Sequence, residues 1–307
     1  MATRVSTAGN YQSALLNLMT AQARSLDAQN RISTEKVATD LAGYGRGSET
    51  LAAMRGAQAR IQGFINTGEA VTARLSAQDL ALRRVADGAN DTRQAIADAM
   101  AAGSLDGLML EIQGRFQIVQ NGLNAQHQGR FLFGGGNVDD PPVTIGTLGE
   151  LNAAPSVAGV FANDTLKHTS RIDEGHPIQT GFLADDIGQT LFQIYKDIQA
   201  YHDATPLTGT LSDDARSFLT AQLTRLDAEH SRITDIAAQN GALQNRVEAT
   251  LTSQEAQKTQ LDELIGKRTD VDMAQAVTDL QMSQVAIQAA AQVISQLRDV
   301  SLLNILT

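Results

Sequence analysis

Proline is absent from residues 1–140 and again from 207–307; all five prolines, Pro141, Pro142, Pro155, Pro177 and Pro206, lie between. Proline interrupts a helix interior because it lacks the N–H and its ring clashes with the preceding turn. Long helices are therefore permitted on both flanks and disfavoured in the centre. The flanks are rich in Ala, Leu, Gln and Arg, which suit helix, and most of the aromatics lie between Phe131 and Phe218. The chain reads as helical, then irregular and strand-containing, then helical again.

Periodicity refines this. Alternating steps of four and three from Leu219 reach Leu223, Leu226, His230, Ile233, Ala237, Asn240, Gln244, Val247, Leu251, Gln254, Lys258, Leu261 and Ile265, which are mostly apolar. A 3.5-residue period keeps one seam facing a partner helix. The N-terminal flank has a stripe at intervals of seven: Met54, Ile61, Gly68, Leu75, Leu82, Ala89, Ile96. Each segment is about 55 residues, or roughly 80 Å of helix. Leu108, Ile112, Phe116, Val119 and Leu123 mark a shorter third helix, ending near Gly129. Gly56, Gly63, Gly68 and Gly88 weaken the first rod or permit close approach.

Two further helical stretches lie at the ends, each about 32 residues, roughly 48 Å. Residues 5–36 carry Leu15, Leu16, Leu18, Met19, Leu26 and Ile32. Residues 272–303 carry one stripe of Met273, Val277, Leu280, Ile287 and Ile294, and a second of Met282, Val285, Val293, Leu297, Val300 and Leu303. Apolar cover on more than one side exceeds what one partner helix buries. The subunit-contact candidates are Leu15, Leu18, Leu26, Ile32, Leu280, Ile287, Ile294, Leu297, Val300 and Leu303. These ends are expected to need neighbouring subunits to stay ordered.

The matched lengths suggest a chain folded back on itself: mainly α, with long antiparallel coiled-coil-like rods and an inserted small β-containing middle domain. The expected domains are 1–45 with 268–307, an inner terminal-helix domain; 46–133 with 207–267, the rod; and 134–206, the outer insertion. Gly43, Gly45 and Gly47, and the polar stretch 266–270, are the expected joints. Gly134, Gly135 and Gly136 form the hinge into the insertion, where Phe131 and Phe133 alternate at strand period and are expected to pack together on the rod near Phe218.

Composition excludes several chemistries. There is no Cys and no Trp, so disulfides and thiolate metal sites are out. The net charge of -10 argues against a nucleic-acid partner. No apolar run approaches ~20 residues, so no membrane span is expected. Met1–Gln12 has one Arg and no apolar core, so no cleavable signal peptide is expected. The glycine clusters lack phosphate-loop spacing and context. His168 and His176 bracket Asp173 and Glu174, but the spacing fits no helix face or usual zinc pattern, and loop polarity is the better reading. His230 on the heptad seam reads as a satisfied histidine. No nucleophile motif occurs. The expectation is no enzyme, no catalytic residue, no metal and no cofactor.

Three stretches carry a resemblance. "QNRISTEKVATDLAG" (29–43) resembles the N-terminal Arg-Ile-Ser segment of flagellins, with Glu35 where Gly is usual. "GRFLFGGGNVDDPPV" (129–143) is similar to the aromatic, glycine and Asp-x-Pro-Pro seam of hook–filament junction proteins. "QAAAQVISQLRDVSLLNIL" (288–306) looks like their C-terminal tail, and 171–198 like the return from their middle domain. The resemblance is to the flagellin superfamily, of the hook-associated type. It implies a structural subunit of the bacterial flagellum, exported without a cleaved signal through the flagellar type III apparatus and acting outside the cell. The implied partners are further copies of itself in a ring or helical array, a hook-side junction protein, flagellin and an export chaperone. Alternatives are flagellin itself, the bulk filament subunit, and, from another class, a coiled-coil signalling module.

Overall fold

The computed structural model describes residues 2–175 and 177–303, and their side chains from 9 to 297. The helices are α1 (Ala2–Thr34), α2 (Ser48–Ala102), α3 (Leu108–Leu123), α4 (Leu148–Ala153), α5 (Ala184–Ala204), α6 (Asp213–Thr269) and α7 (Met273–Leu303). Two antiparallel hairpins complete the regular structure. One joins β1 (Gln126–His127) to β2 (Arg130–Phe131), the other β3 (Thr169–Ser170) to β4 (Ile178–Gln179). The fold is mainly α, with the long helices and the short strand content that proline placement predicts.

Contacts divide the chain into two compact units, Met1–Arg60 with Gln257–Thr307, and Ile61–Ala256. The divisions fall inside α2 and α6, whereas the sequence suggests breaks at the glycine joints and around 134–206. Residues 134–206 share the core of the second unit, because α5 buries Ile187, Leu191, Phe192, Ile194, Tyr195 and Ile198. Phe116 of α3 meets Phe192 and Tyr195 with ring centroids 5.1 and 5.4 Å apart. Offset and edge contacts of this kind suit the ring quadrupole.

In that unit α2 and α6 pair as the heptads predict. Every heptad position from Leu219 to Ile265 is buried or half-buried. Three polar positions on the seam find backbone partners. His230 Nδ1 lies 3.1 Å from the Ala86 carbonyl, and the Asn240 and Gln244 amides both donate to the Leu75 carbonyl at 2.9 and 3.0 Å. α2 runs unbroken through its four glycines. At Gly88 a Cβ would sit 2.5 Å from Val119 of α3, so close approach of the two helices requires glycine there.

The seam at 129–142 differs from its strand-period reading. β2 ends at Phe131, and Leu132 and Phe133 lie in a bend. Alternation therefore lapses: Leu132 and Phe133 are both buried in the main core, while Phe131 is half-buried. Phe218 stacks instead on Tyr201, with centroids 4.0 Å apart. The Phe133 carbonyl accepts from Ala184 N at 3.0 Å, which ties the seam to the start of α5. Gly135 has φ 71°, a left-handed turn that glycine adopts without strain. Asp164 Oδ1 clamps this turn, accepting from Gly136 N at 2.7 Å and Leu166 N at 2.8 Å. Those two N–H donors hold the Asp164 carboxyl below its usual range.

Candidate functional site: the paired terminal helices

In the first unit α1 and α7 lie antiparallel, fastened where one ends and the other begins. Val37 N donates to the Thr269 carbonyl at 2.8 Å, Val271 N donates to the Glu35 carbonyl at 3.0 Å, and Lys36 Nζ meets Asp270 Oδ1 at 2.5 Å. The Lys36 hydrogen bond, then that of Thr269, holds the Asp270 carboxyl below its usual range. Further along, Arg31 bridges Asp27 at 2.9 Å and Asp279 at 3.4 Å. Both expected joints are ordered. Residues Ala42–Gly47 form a 3₁₀-helix interrupted at Gly45, whose φ is 52°. Of the three glycines there, only Gly45 has a left-handed φ. The polar stretch 266–270 is not itself the break: α6 continues to Thr269, and the chain turns at 270–272. Lys267 and Arg268 suit that last turn because cations are favourable at a helix C-terminus.

The seam between α1 and α7 is built from small residues. On α1 the inward row is Ala14, Leu18, Ala21, Ser25, Ala28 and Ile32, in steps of four and three; the alanines and Ser25 are buried and Ala28 is 0% exposed. On α7 the row Ala276, Leu280, Ser283, Ile287, Ala290, Ile294 and Leu297 has the same spacing. Small side chains let two helices approach closely but bury little apolar area. The large side chains are left outside: Leu16, Met19 and Leu26 on α1 are 59%, 59% and 61% exposed, and Met282 and Val285 on α7 are 69% and 64% exposed.

The contact candidates therefore separate into two groups. Leu18, Ile32, Leu280, Ile287, Ile294 and Leu297 are half-buried on the seam within the chain. Leu15 and Leu26 face outward. Val300 and Leu303 belong to α7, but their side chains lie outside the described residues, as does His176. Met19, Met282, Val285 and Val293 complete the outward apolar surface and were not among the candidates. The second stripe on α7 already contained three of them, and the seven-residue spacing of Ala14, Ala21 and Ala28 was the legible sign of the inward face. Among the described residues, no group of three His, Asp or Glu is placed to hold a metal. No described helix is long and apolar enough to cross a membrane.

Residues 215–306, most of α6 and all of described α7, match the family of the bacterial flagellin C-terminal helical region. The C-terminal helices of this chain are similar to those of bacterial flagellins. No curated protein matches the chain. Two solved structures share its fold. A flagellar hook-associated protein from Vibrio parahaemolyticus has 16% identity and a TM-score of 0.59, over 75% of this chain and 99% of that one. Bacillus cereus FlgL has 16% identity and a TM-score of 0.50, over 65% of this chain and 98% of that one. At such identity the likeness speaks to the fold alone. The alanine seam and the outward leucines and methionines form one arrangement: a helix pair closed on one side and open on the other.

Proposed function

We propose that this chain is a structural subunit of the bacterial flagellum, a junction adaptor between the hook-associated ring and the flagellin filament, assembling through its terminal helices. The observation that carries the reading is the outward apolar surface of α1 and α7, the latter in the stretch similar to the flagellin C-terminal helical region. Contiguous exposed apolar surface marks an interaction site, and among the described residues Leu26 and Met282 are 61% and 69% exposed. Two structural neighbours are a hook-associated protein and FlgL, which favours the junction over the bulk filament.

On this reading the partners are neighbouring copies of the chain, a hook-side junction protein, flagellin and an export chaperone. The chain reaches its place outside the cell through the flagellar type III route, and no reaction is catalysed. The test is location and stoichiometry. Purified flagella should contain the chain at a small fraction of the flagellin, and cells lacking it should shed flagellin while keeping hooks. Abundance equal to the filament subunit would make it a flagellin. Absence from flagella would favour the signalling module.

A further inference from the structure

The β3–β4 hairpin folds back onto the middle of the α2·α6 pair. Its Ile172 and Ile178 are buried with Val71 and Leu75 of α2 and Val247 of α6, in a cluster separate from the main core. The hairpin is small. It has two residue pairs, Thr169 with Gln179 and Ser170 with Ile178, extended by bonds from Thr180 N and Gly181 N to the His168 carbonyl at 2.9 and 3.0 Å. A two-stranded hairpin of this size is marginal by itself, so its seat on the helices holds it.

Beside the seat, at Leu75, lies an unusual layer. The Leu75 carbonyl accepts from both Asn240 and Gln244. Gln78 lies three positions on from Leu75, on the same face of α2. Gln78 and Asn240 are both 0% exposed, yet neither amide atom of Gln78 nor Oδ1 of Asn240 has a hydrogen-bond partner. A buried amide without a partner is costly. Opening the hairpin would lose apolar contact at Ile172 and Ile178 but would let water reach this layer, so the two effects offset each other.

We propose that the β3–β4 hairpin is a detachable strap, which opens from the α2·α6 pair while α3 and α5 stay packed, and which seals the polar layer at Leu75, Gln78 and Asn240 when closed. Its opening free energy lies at the low end of the range that native proteins span. The open state exposes an apolar row, Val71 and Val247, on the rod.

Native-state amide exchange on the full-length chain tests this. The amides of Ser170, Ile178, Thr180 and Gly181 should exchange at least tenfold faster than those of Phe116–Leu123 and Leu191–Ile198. Equal rates, meaning opening only by global unfolding, would overturn the proposal. Because the chain lacks cysteine, Val71→Cys with Ile178→Cys provides a single reducible lock. Oxidation should slow hairpin exchange at least tenfold and reduction should restore it. If the lock does not form, Ile172→Ala with Ile178→Ala should speed exchange in the hairpin and leave α3 and α5 unchanged; equal acceleration in α3 and α5 would refute independent opening.

Discussion

The Tyr195 hydroxyl lies 2.7 Å from Thr92 Oγ1, and both side chains are fully buried. This pair joins α5, from the insertion, to α2, from the N-terminal rod. Thr92 Oγ1 also donates to the Gly88 carbonyl at 2.7 Å, which uses its one proton, so the Tyr195 hydroxyl donates to Thr92 Oγ1. Burial, the largest cause, pushes the Tyr195 hydroxyl well above its usual range. Tyr195→Phe removes one buried hydrogen bond while keeping the ring against Phe116. It should cost about 1 kcal/mol. Phe116→Ala, which empties the site, should cost about 3–5 kcal/mol. Urea denaturation of the chain measures both, and equal losses would deny the distinction.

Glu35 follows the last residue of α1 with φ 56°, although it is not glycine. A side chain in the left-handed region is strained, and glycine is the residue that most often ends helices this way. Glu35→Gly should stabilise the α1·α7 pair by about 0.5–1 kcal/mol. Gly45→Ala, at φ 52° in the neighbouring joint, should destabilise it by about 1 kcal/mol. The measurement is the melting of the helical signal of each variant at equal concentration. A Glu35→Gly variant that melts lower would mean that the side chain contributes something its geometry does not reveal.

An alanine seam buries little, so the α1·α7 pair should be the first part of a free monomer to exchange its amides, across 10–34 and 276–297. Leu26→Asn and Met282→Gln, both on the outward face, should leave monomer stability within about 0.5 kcal/mol. The same changes should abolish self-assembly. Ala28→Leu on the inward face should do the reverse damage, costing about 1–3 kcal/mol by overpacking. Sedimentation together with denaturation separates the two faces; loss of stability in the Leu26 variant would put that residue on the wrong side.

His168 borders the strap, and its imidazole is held below its usual pKa, first by burial and then by the Arg74 guanidinium. The folded chain therefore prefers neutral His168, while the unfolded segment takes up a proton below about pH 6.5. The stability this contributes is present above pH 6.5 and is lost as pH falls through the depressed folded value. Hairpin exchange, corrected for its intrinsic pH dependence, should speed between pH 7.5 and 5. His168→Gln should flatten that dependence. A variant with the same profile as the parent would assign the effect to carboxylates.

Gly135→Ala would strain a left-handed turn and drive its Cβ into the Asp164 carboxylate. It should cost about 1–3 kcal/mol. Phe133→Ala should cost about 3–5 kcal/mol, and Phe131→Ala distinctly less, because only Phe133 is fully buried. Calorimetry on the two single variants decides this; equal effects would restore the paired-plate reading of the two rings.

Periodicity carried most of the architecture. Proline exclusion and the 3.5-residue period are backbone and one-dimensional properties, so the rods and the terminal helices could be read with ends within a few residues of those observed, whereas α3, read as ending near Gly129, ends at Leu123. The resemblance of 288–306 to the tail of hook–filament junction proteins likewise lay in local sequence. Three matters needed the tertiary structure. The α5 helix looked like part of a separate insertion, because only contacts reveal that Phe192 and Tyr195 complete a core begun by Phe116. Phe131 and Phe133 could not be assigned to one face, because the strand ended between them and the bend reset the alternation. The apolar stripes of α1 and α7 could not by themselves say which face turned inward. Close approach favoured Ala14, Ala21 and Ala28 over the leucines, and that choice depends on the shape of the opposing helix. The sequence by itself determined that these ends carry more apolar surface than one partner covers; the pairing of small residues decided which part of it faces outward.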